Sequence, residues 1–429
     1  MKKTLLSLLL CSIVLSATET YTVDELILLA MENSPDIQIS SSKIDASQSR
    51  IDKASGSYLP TINLHVSAGE TGQSDVPNNK DKMVDDTLLL GKLSVKQLLY
   101  DFGRTGSNVD SFKYESEVFK MDNEQNISDK KLNVKVEYYN ILQAKALINV
   151  QKENVKLNDI QLYRSQKYFE AGIKTKIDIS DAKVQLIQAK LALKEAEYSL
   201  KSAYAGLDKV LGFKEITNNY EVYTQDLDYA TLYSCMSEYT LNLADSIEFA
   251  NANRYELKKY IANLKVSKAK TEVADSFYYP EIYADASYTR QEADEFDDII
   301  PQNQWHMAVN LDWNIYEGGA TDAASQEKII QEQTANFELE NAKLSIKKDI
   351  TDSYIDVSRD RDTVELSQSL VEVSSEKYVQ AEKRYEHGLS DYIELQQSRQ
   401  DYIDAKAKLV VNYYKYYQSI AYLDNAIGK

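Results

Sequence analysis

Residue types that perform covalent or metal chemistry are sparse in this chain. His65, His306 and His387 are the three histidines of 429 residues, and Cys11 and Cys235 are the two cysteines. Zinc and copper sites draw such ligands from short spacings, and no two of these five stand within ligand spacing of each other. No phosphate-cradling glycine loop and no nucleophile motif is present. No cofactor and no enzymatic activity is therefore expected. The chemically active residues that do recur in a pattern are acids. Asp178 and Asp181 lie six and nine residues after Gly172, and Glu394 and Gln397 hold the same places after Gly388. A separation of three puts two side chains on one face of a helix. The plain role of an acid there is at a helix start, where the macrodipole favours negative charge. His387, beside the second glycine, reads as a solvated loop histidine rather than a pH sensor.

The elements that must carry these residues are long. From Ser107 to Ala171, and again from Thr321 to His387, there is no glycine and no proline. Those two residues are the strong helix breakers, so both runs read as helices. At 1.5 Å per residue each would be about 100 Å long, far beyond an ordinary globular helix. Gly172 and Gly388 then end the runs, supplying the positive φ that lets a helix stop and fold back. In the returning segment Ile179, Leu186, Leu193, Leu200 and Leu207 are spaced by seven. So are Ala182, Ala189, Ala196 and Ala203, and so are Ile177, Val184, Leu191, Tyr198 and Ala205. Three stripes at period seven predict a left-handed supercoil with neighbours on two sides. Leu395, Tyr402, Leu409, Tyr416 and Leu423 repeat one stripe in the second half.

The halves are copies. Tyr100 answers Tyr316, Tyr138 answers Tyr354, Gly172 answers Gly388 and Gly212 answers Gly428, all at an offset of 216; upstream, Asn33 answers Asn253 and Pro60 answers Pro280 at 220. The expected organisation is a signal peptide over 1–17, a first repeat over 18–212, a linker over 213–241 and a second repeat over 242–429. In the signal, Lys2 and Lys3 precede an apolar stretch, and Ser16 or Ala17 offers the cleavage point. A lipoprotein signal acylated at Cys11 would need a small residue before it, where Leu10 stands, so plain cleavage is expected. Cys235 is then alone, and packing rather than a disulfide must hold the fold. The formal charge of −18 argues against nucleic acid as a partner. No apolar run beyond the signal is long enough for a membrane helix.

Four short segments alternate instead. Ile62, Leu64, Val66 and Ala68 interleave with Thr61, Asn63, His65 and Ser67, and residues 89–99 alternate in part. In the second repeat Ile282, Ala284, Ala286 and Tyr288 do the same. The clearest case puts Trp305, Met307, Val309, Leu311, Trp313 and Ile315 on one face and His306, Asn310, Asp312 and Asn314 on the other. These predict four strands of about 9–11 residues in two hairpins, near 58–100 and 278–316. Their length and alternation suit outer-membrane strands, with the tryptophans as an aromatic girdle. A soluble sandwich alternates in the same way. Four strands cannot close a barrel, and an open edge is not viable in lipid, so spanning a membrane would require several copies.

At this point the chain resembles the TolC-like outer-membrane efflux protein family. The resemblance rests on TVDELILLAMENSPDI (22–37), SYLPTINL (57–64) with its echo YYPEIYAD (278–285), QLLYDFGRTG (97–106) and WNIYEGGATD (313–322). It also rests on the hairpins YFEAGIKTKIDISDAK and YEHGLSDYIELQQSR, and it covers almost the whole chain after the signal. Ser34 before Pro35 departs from the pattern, as does Tyr255 in the second copy, and the long C-terminal extension of some members is expected to be missing.

The resemblance implies a mainly α fold with a small β part. Long antiparallel helical hairpins would form an α-helical barrel, joined to a four-strand share of a trimeric twelve-stranded transmembrane β-barrel. It implies a homotrimer in the outer membrane of a Gram-negative bacterium, reaching into the periplasm, with a periplasmic adaptor, an inner-membrane transporter and outer-membrane lipid as partners. Residues 213–241 would belong to a belt around the tunnel. Gly172, Ile173, Gly388 and Leu389 would dock the adaptor. Asp391, Glu394 and Gln397 would line the closed periplasmic entrance as rings, with Gln397 in place of a second acid. Asp178 and Asp181, on the outer hairpin, keep the helix-start reading. Trp305, Met307, Val309, Leu311 and Trp313 would face lipid. A secreted coiled-coil scaffold without a pore is the competing expectation.

Overall fold

A computed structural model describes residues 19–73, 84–213, 220–224, 232–293 and 303–429. The expected signal peptide, with Cys11, lies outside the described residues, as do Pro77, Pro301 and much of the linker. In chain order the elements are β1 (Glu19–Tyr21), α1 (Val23–Asn33), α2 (Pro35–Ser55), β2 (Thr61–Gln73), β3 (Val84–Tyr100), α3 (Arg104–Glu170) and α4 (Lys176–Leu211). They continue with β4 (Tyr220–Val222), α5 (Leu243–Asn253), α6 (Tyr255–Asp275), β5 (Glu281–Ala293), β6 (Asn303–Asp312), α7 (Ala320–Glu386) and α8 (Tyr392–Ile427). Corresponding helices have equal lengths: 67 residues in α3 and α7, 36 in α4 and α8, and 21 in α2 and α6.

Local chemistry sets the boundaries. Thr22 caps α1 in a capping box: its N–H donates to Glu25 Oε2 at 2.7 Å, and the Glu25 N–H donates back to Thr22 Oγ1 at 3.5 Å. Pro35 opens α2, where its missing N–H costs no helical bond. α3, α4, α7 and α8 all end alike. Gly172, Gly212, Gly388 and Gly428 have φ of 70 to 80°, and the next residue's N–H reaches back five positions, as from Ile173 to Tyr168 O at 2.9 Å and from Leu389 to Arg384 O at 2.8 Å. This is the Schellman geometry.

The described chain divides into two compact units, each drawn from both repeats. One holds the described residues up to Ile37, with Asn126–Asn253 and Lys347–Lys429. Within it α4 packs on α3 through Leu207, Leu211, Val134 and Ile141. α3 packs on α8 through Ala146, Val150, Ile403 and Val410. α8 joins α7 through Lys415–Asp360 and Lys377–Asp401. Away from the turns the lateral order is thus α4, α3, α8, α7, while near the turns α3 and α4 also meet α7 and α8 directly, through Arg164–Glu382 and the cluster of Ala182, Ala381, Tyr385 and Leu395. The parallel pair β1–β4, Glu19 opposite Tyr220, lies against the Leu207 cluster. Of the predicted stripes on α4, Ala182, Leu186, Ala189 and Leu207 are buried, but Ile177, Val184, Leu191 and Tyr198 remain 50 to 71% exposed.

The other unit holds Gln38–Gln125 and Arg254–Ile346. Ser47 of α2 donates to Ser116 of α3 at 2.8 Å, Lys259 of α6 pairs with Asp122 of α3 at 2.7 Å, and Ser325 of α7 donates to Asp275 of α6 at 2.6 Å. The order here is α2, α3, α6, α7. The same unit carries one antiparallel sheet, ordered β2-β3-β5-β6.

The strands correct the sequence expectation in two ways. β2, β3 and β5 are 13, 17 and 13 residues long rather than 9–11, while β6, at 10, keeps the expected length. And β6 stops at Asp312, so Trp313 and Ile315 lie beyond it. Asp312 pairs with Glu281, and the residue that would face Trp313 is Pro280, which has no N–H to continue the ladder. Trp313 instead donates its indole N–H to Tyr278 O at 3.2 Å. β3 runs on past Lys96, where its pairing with β2 ends, because β5 still pairs with it, passing a bulge at Leu98 to reach Tyr100 opposite Ile282.

Candidate functional site

Two regions gather the predicted site residues, one in each unit. The first is the pair of helix turns. Ile173 and Leu389, each following its glycine, are 66 and 70% exposed. A small core sits beneath them: Ala182, Ala381, Tyr385, Tyr392 and Leu395, flanked by Leu162, Tyr168 and Tyr378.

Asp391 is the N-cap of α8 and accepts the Glu394 N–H at 2.9 Å. The Glu394 carboxylate in turn lies 3.2 Å from Arg384 Nη1. Gln397 is exposed and donates to Asp401 Oδ1 at 2.7 Å, whose other oxygen accepts Lys377 at 2.7 Å. The first hairpin differs. Asp178 accepts from both the N–H and the hydroxyl of Thr175 at 2.8 Å, closing a capping box. Slight burial works against its charge, yet the Thr175 hydrogen bonds hold the carboxyl below its ordinary range.

Sequence reasoning missed two groups here. Arg164 of α3 sits 2.8 Å from Glu382 and 3.2 Å from Glu386 of α7, tying the hairpins together. Arg399 of α8 is 4% exposed in the hairpin core. Partners some 218 positions apart leave no local periodicity that would have revealed them.

The second region is the sheet. Residues paired across strands share a face. One face therefore carries Ile62, Leu64 and Val66, then Val95 and Leu93, then Ile282, Ala284, Ala286 and Tyr288, then Leu311, Val309, Met307 and Trp305. The last four are 61 to 80% exposed. The opposite face carries Thr61, Asn63 and His65, then Lys96, Ser94 and Lys92, then Asp285, Ser287 and Thr289, then Asn310, His306 and Gln304. That polar face holds a trough of about 730 Å³ lined by Lys92, Ser94, Lys96, Asp285, Ser287 and His306 among others, so the sheet is hollowed on its polar side. Within it Asp285 receives Asn310 and lies 3.4 Å from His306 Nε2. Lys96 lies 3.8 Å from Glu281 and over the Tyr283 ring. No helix of the described residues is long and apolar enough to cross a membrane.

An apolar sheet face, a hollowed polar face and long paired helices have counterparts among known proteins. The family model described as outer membrane efflux protein matches residues 26–213 and 247–429. The outer membrane protein TolC of Vibrio cholerae serotype O1 is 21% identical over 414 residues, spanning 93% of this chain and 89% of that protein. Among solved structures, CusC aligns with a TM-score of 0.81 at 15% identity, over 96% of this chain and 93% of its own. The CmeC outer membrane channel of Campylobacter jejuni aligns at 0.80 and 16% identity, over 95% and 85%. The fold is therefore the mainly helical one of these channels, with its small sheet part. With both repeats matched over most of their length, the chain belongs to the outer membrane efflux protein family.

Proposed function

We propose that the chain is the exit duct of a tripartite efflux or type I secretion system. It would conduct substrate passively from an inner-membrane pump, through a periplasmic adaptor, across the periplasm and the outer membrane. The observation that carries this reading is the sheet. Its apolar face is exposed, its hollowed face is polar, and its edge strands β2 and β6 have no partner among the described residues. In lipid such edges must be paired, and three copies supply the twelve strands that close a barrel.

The helices argue the same way. Away from the turns the outermost long helices are α4 and α7 in one unit, and α2 and α7 in the other, so each unit has two open flanks. The open flank of α4 carries Ile177, Val184, Leu191 and Tyr198, and that of α7 carries Leu366, Leu370 and Val373. A second and a third copy would cover them in a closed ring. In this reading Trp305, Met307, Val309 and Leu311 face lipid, with Trp313 just past the strand end. Asp391, Glu394 and Gln397 border the periplasmic entrance. Gly172, Ile173, Gly388 and Leu389 meet the adaptor.

The test is planar-bilayer conductance of the purified trimer, wild type beside Glu394→Ala. Small cation-selective steps that enlarge or lose selectivity in the variant support both the duct and the place of Glu394. Wild-type steps indifferent to the substitution move the constriction elsewhere. A folded protein that gives no steps and fractionates with the soluble periplasm overturns the duct.

A further inference from the structure

The polar face of the sheet is not uniform. Its lower rows are mixed in charge: Glu281 faces Asp312, and Asp285 faces Lys96. Four residues beyond Asp285 on β5 the character changes. His65, Lys92, Thr289 and Gln304 form one continuous row across the four strands. No acid lies within two positions of that row on any strand, although the chain carries 67 acids and a net charge of −18. The next row down, Asn63, Ser94, Ser287 and His306, is also free of acid. Lys92 is exposed, and no carboxylate of the described residues pairs with it, whereas Lys96 is drawn toward Glu281 and the Tyr283 ring.

We propose that Lys92 is a selectivity-determining residue of the duct, making the β-barrel stretch a basic collar that favours anionic solutes over cationic ones. The inference rests on the barrel reading above, in which this face lines the lumen. Symmetry would then bring three Lys92 ammonium groups and their neighbouring imidazoles to one level. A low-dielectric wall focuses such charge into the lumen. The collar's chemistry suits carboxylates, phosphates and sulfonates in transit. It is a separate filter from any acidic ring at the helical entrance.

The experiment measures the potential at the neighbouring side chain. Ser94 is two residues from Lys92 on the same face, about 7 Å away along the strand. Ser94→Cys, in a Cys235→Ser background, is reacted in the membrane-inserted trimer with an anionic and with a cationic methanethiosulfonate of similar size. The readout is the ratio of the two rates, with Lys92 present and with Lys92→Gln. Leu93→Cys, on the apolar face, is the control.

The expected result is a reactive thiol in the Ser94→Cys protein and an inert one in the Leu93→Cys control. The anionic-to-cationic ratio of the former falls about tenfold on Lys92→Gln, the product of opposite effects on the two reagents. An unchanged ratio, with the Ser94→Cys thiol reactive and the Leu93→Cys thiol inert, overturns the collar and leaves the barrel standing. Equal reactivity of the two thiols, or an inert thiol in Ser94→Cys, removes the lumen itself and the collar with it.

Discussion

At the residue scale, two glycines with the same backbone role sit in different surroundings. Gly388 has φ +70° and nothing within 4 Å of the position a Cβ would take. Gly212 has φ +80°, but a Cβ there would lie 2.7 Å from Asn33 O and 3.3 Å from Pro35 Cδ. Alanine at either position meets the left-handed cost of about 1–2 kcal/mol. At Gly212 it must also displace backbone between α1 and α2. Gly388→Ala should therefore lower the thermal unfolding temperature modestly, and Gly212→Ala by at least twice as much. Equal shifts in a melting scan would show that the α1–α2 junction yields freely. Gly388 was legible in the sequence because it ends a long run without glycine or proline, and Gly212 only as the counterpart of Gly428 in the repeat, since Gly206 stands inside the same helix. The neighbours of Gly212 were not, because Asn33 and Pro35 are distant in the chain. Glu394 shows the same division: its place after the turn could be counted, but its ion pair with Arg384 across the turn could not.

At the element scale, the strands show what alternation can and cannot say. Period two assigned Trp305, Met307, Val309 and Leu311 to one face, and the pairing of β6 with β5 keeps them there. It could not set the strand ends, which depend on whether the partner has an N–H to offer. Pro280 opposite Trp313 stops β6, while β3 runs on past Lys96, where its pairing with β2 ends, because β5 still pairs with it. If the apolar face meets lipid, a charge at its middle is costly. Met307→Arg, at the centre of β6, should reduce the yield of membrane-inserted trimer sharply, at about 2–4 kcal/mol per copy. Gln304→Arg, on the polar face of the same strand, should leave the yield near wild type. Fractionation and native gel analysis of the two variants decide it, and equal yields would contradict a lipid-facing role for β6.

At the scale of the whole molecule, the exposed stripes of α4 and α7 are the surfaces that the proposed ring of copies would cover. Counted from its tip glycine, Leu191 lies 19 residues along α4. Leu366 and Val373 lie 22 and 15 residues from the other tip, straddling that level. Between α7 and α8 a groove of about 430 Å³, lined by Leu370, Val373 and Ala405 and rimmed by Lys377, Asp401, Asp404 and Lys408, lies where a neighbouring helix could insert a knob such as Leu191. Val373→Glu should therefore shift trimer toward monomer in light scattering. Helical content by circular dichroism should stay near wild type, since Val373 is 65% exposed within its own chain. Loss of helicity along with assembly would instead assign Val373 to the core of a single chain.

The sequence by itself determined the periodic features: the duplication, the helix runs, the turn glycines and the alternating strands. Each is a local rule of spacing or backbone freedom, and each repeats at fixed intervals. Only the tertiary structure decided that two of the three heptad stripes on α4 supply buried residues and that the stripe of Ile177, Val184, Leu191 and Tyr198 stays exposed. All three are apolar, and burial depends on where α3 lies. It also drew each compact unit from both repeats, and it joined Arg164 to Glu382. The acid-free row at Lys92 likewise came from strand register, which brings together residues more than 200 positions apart in sequence.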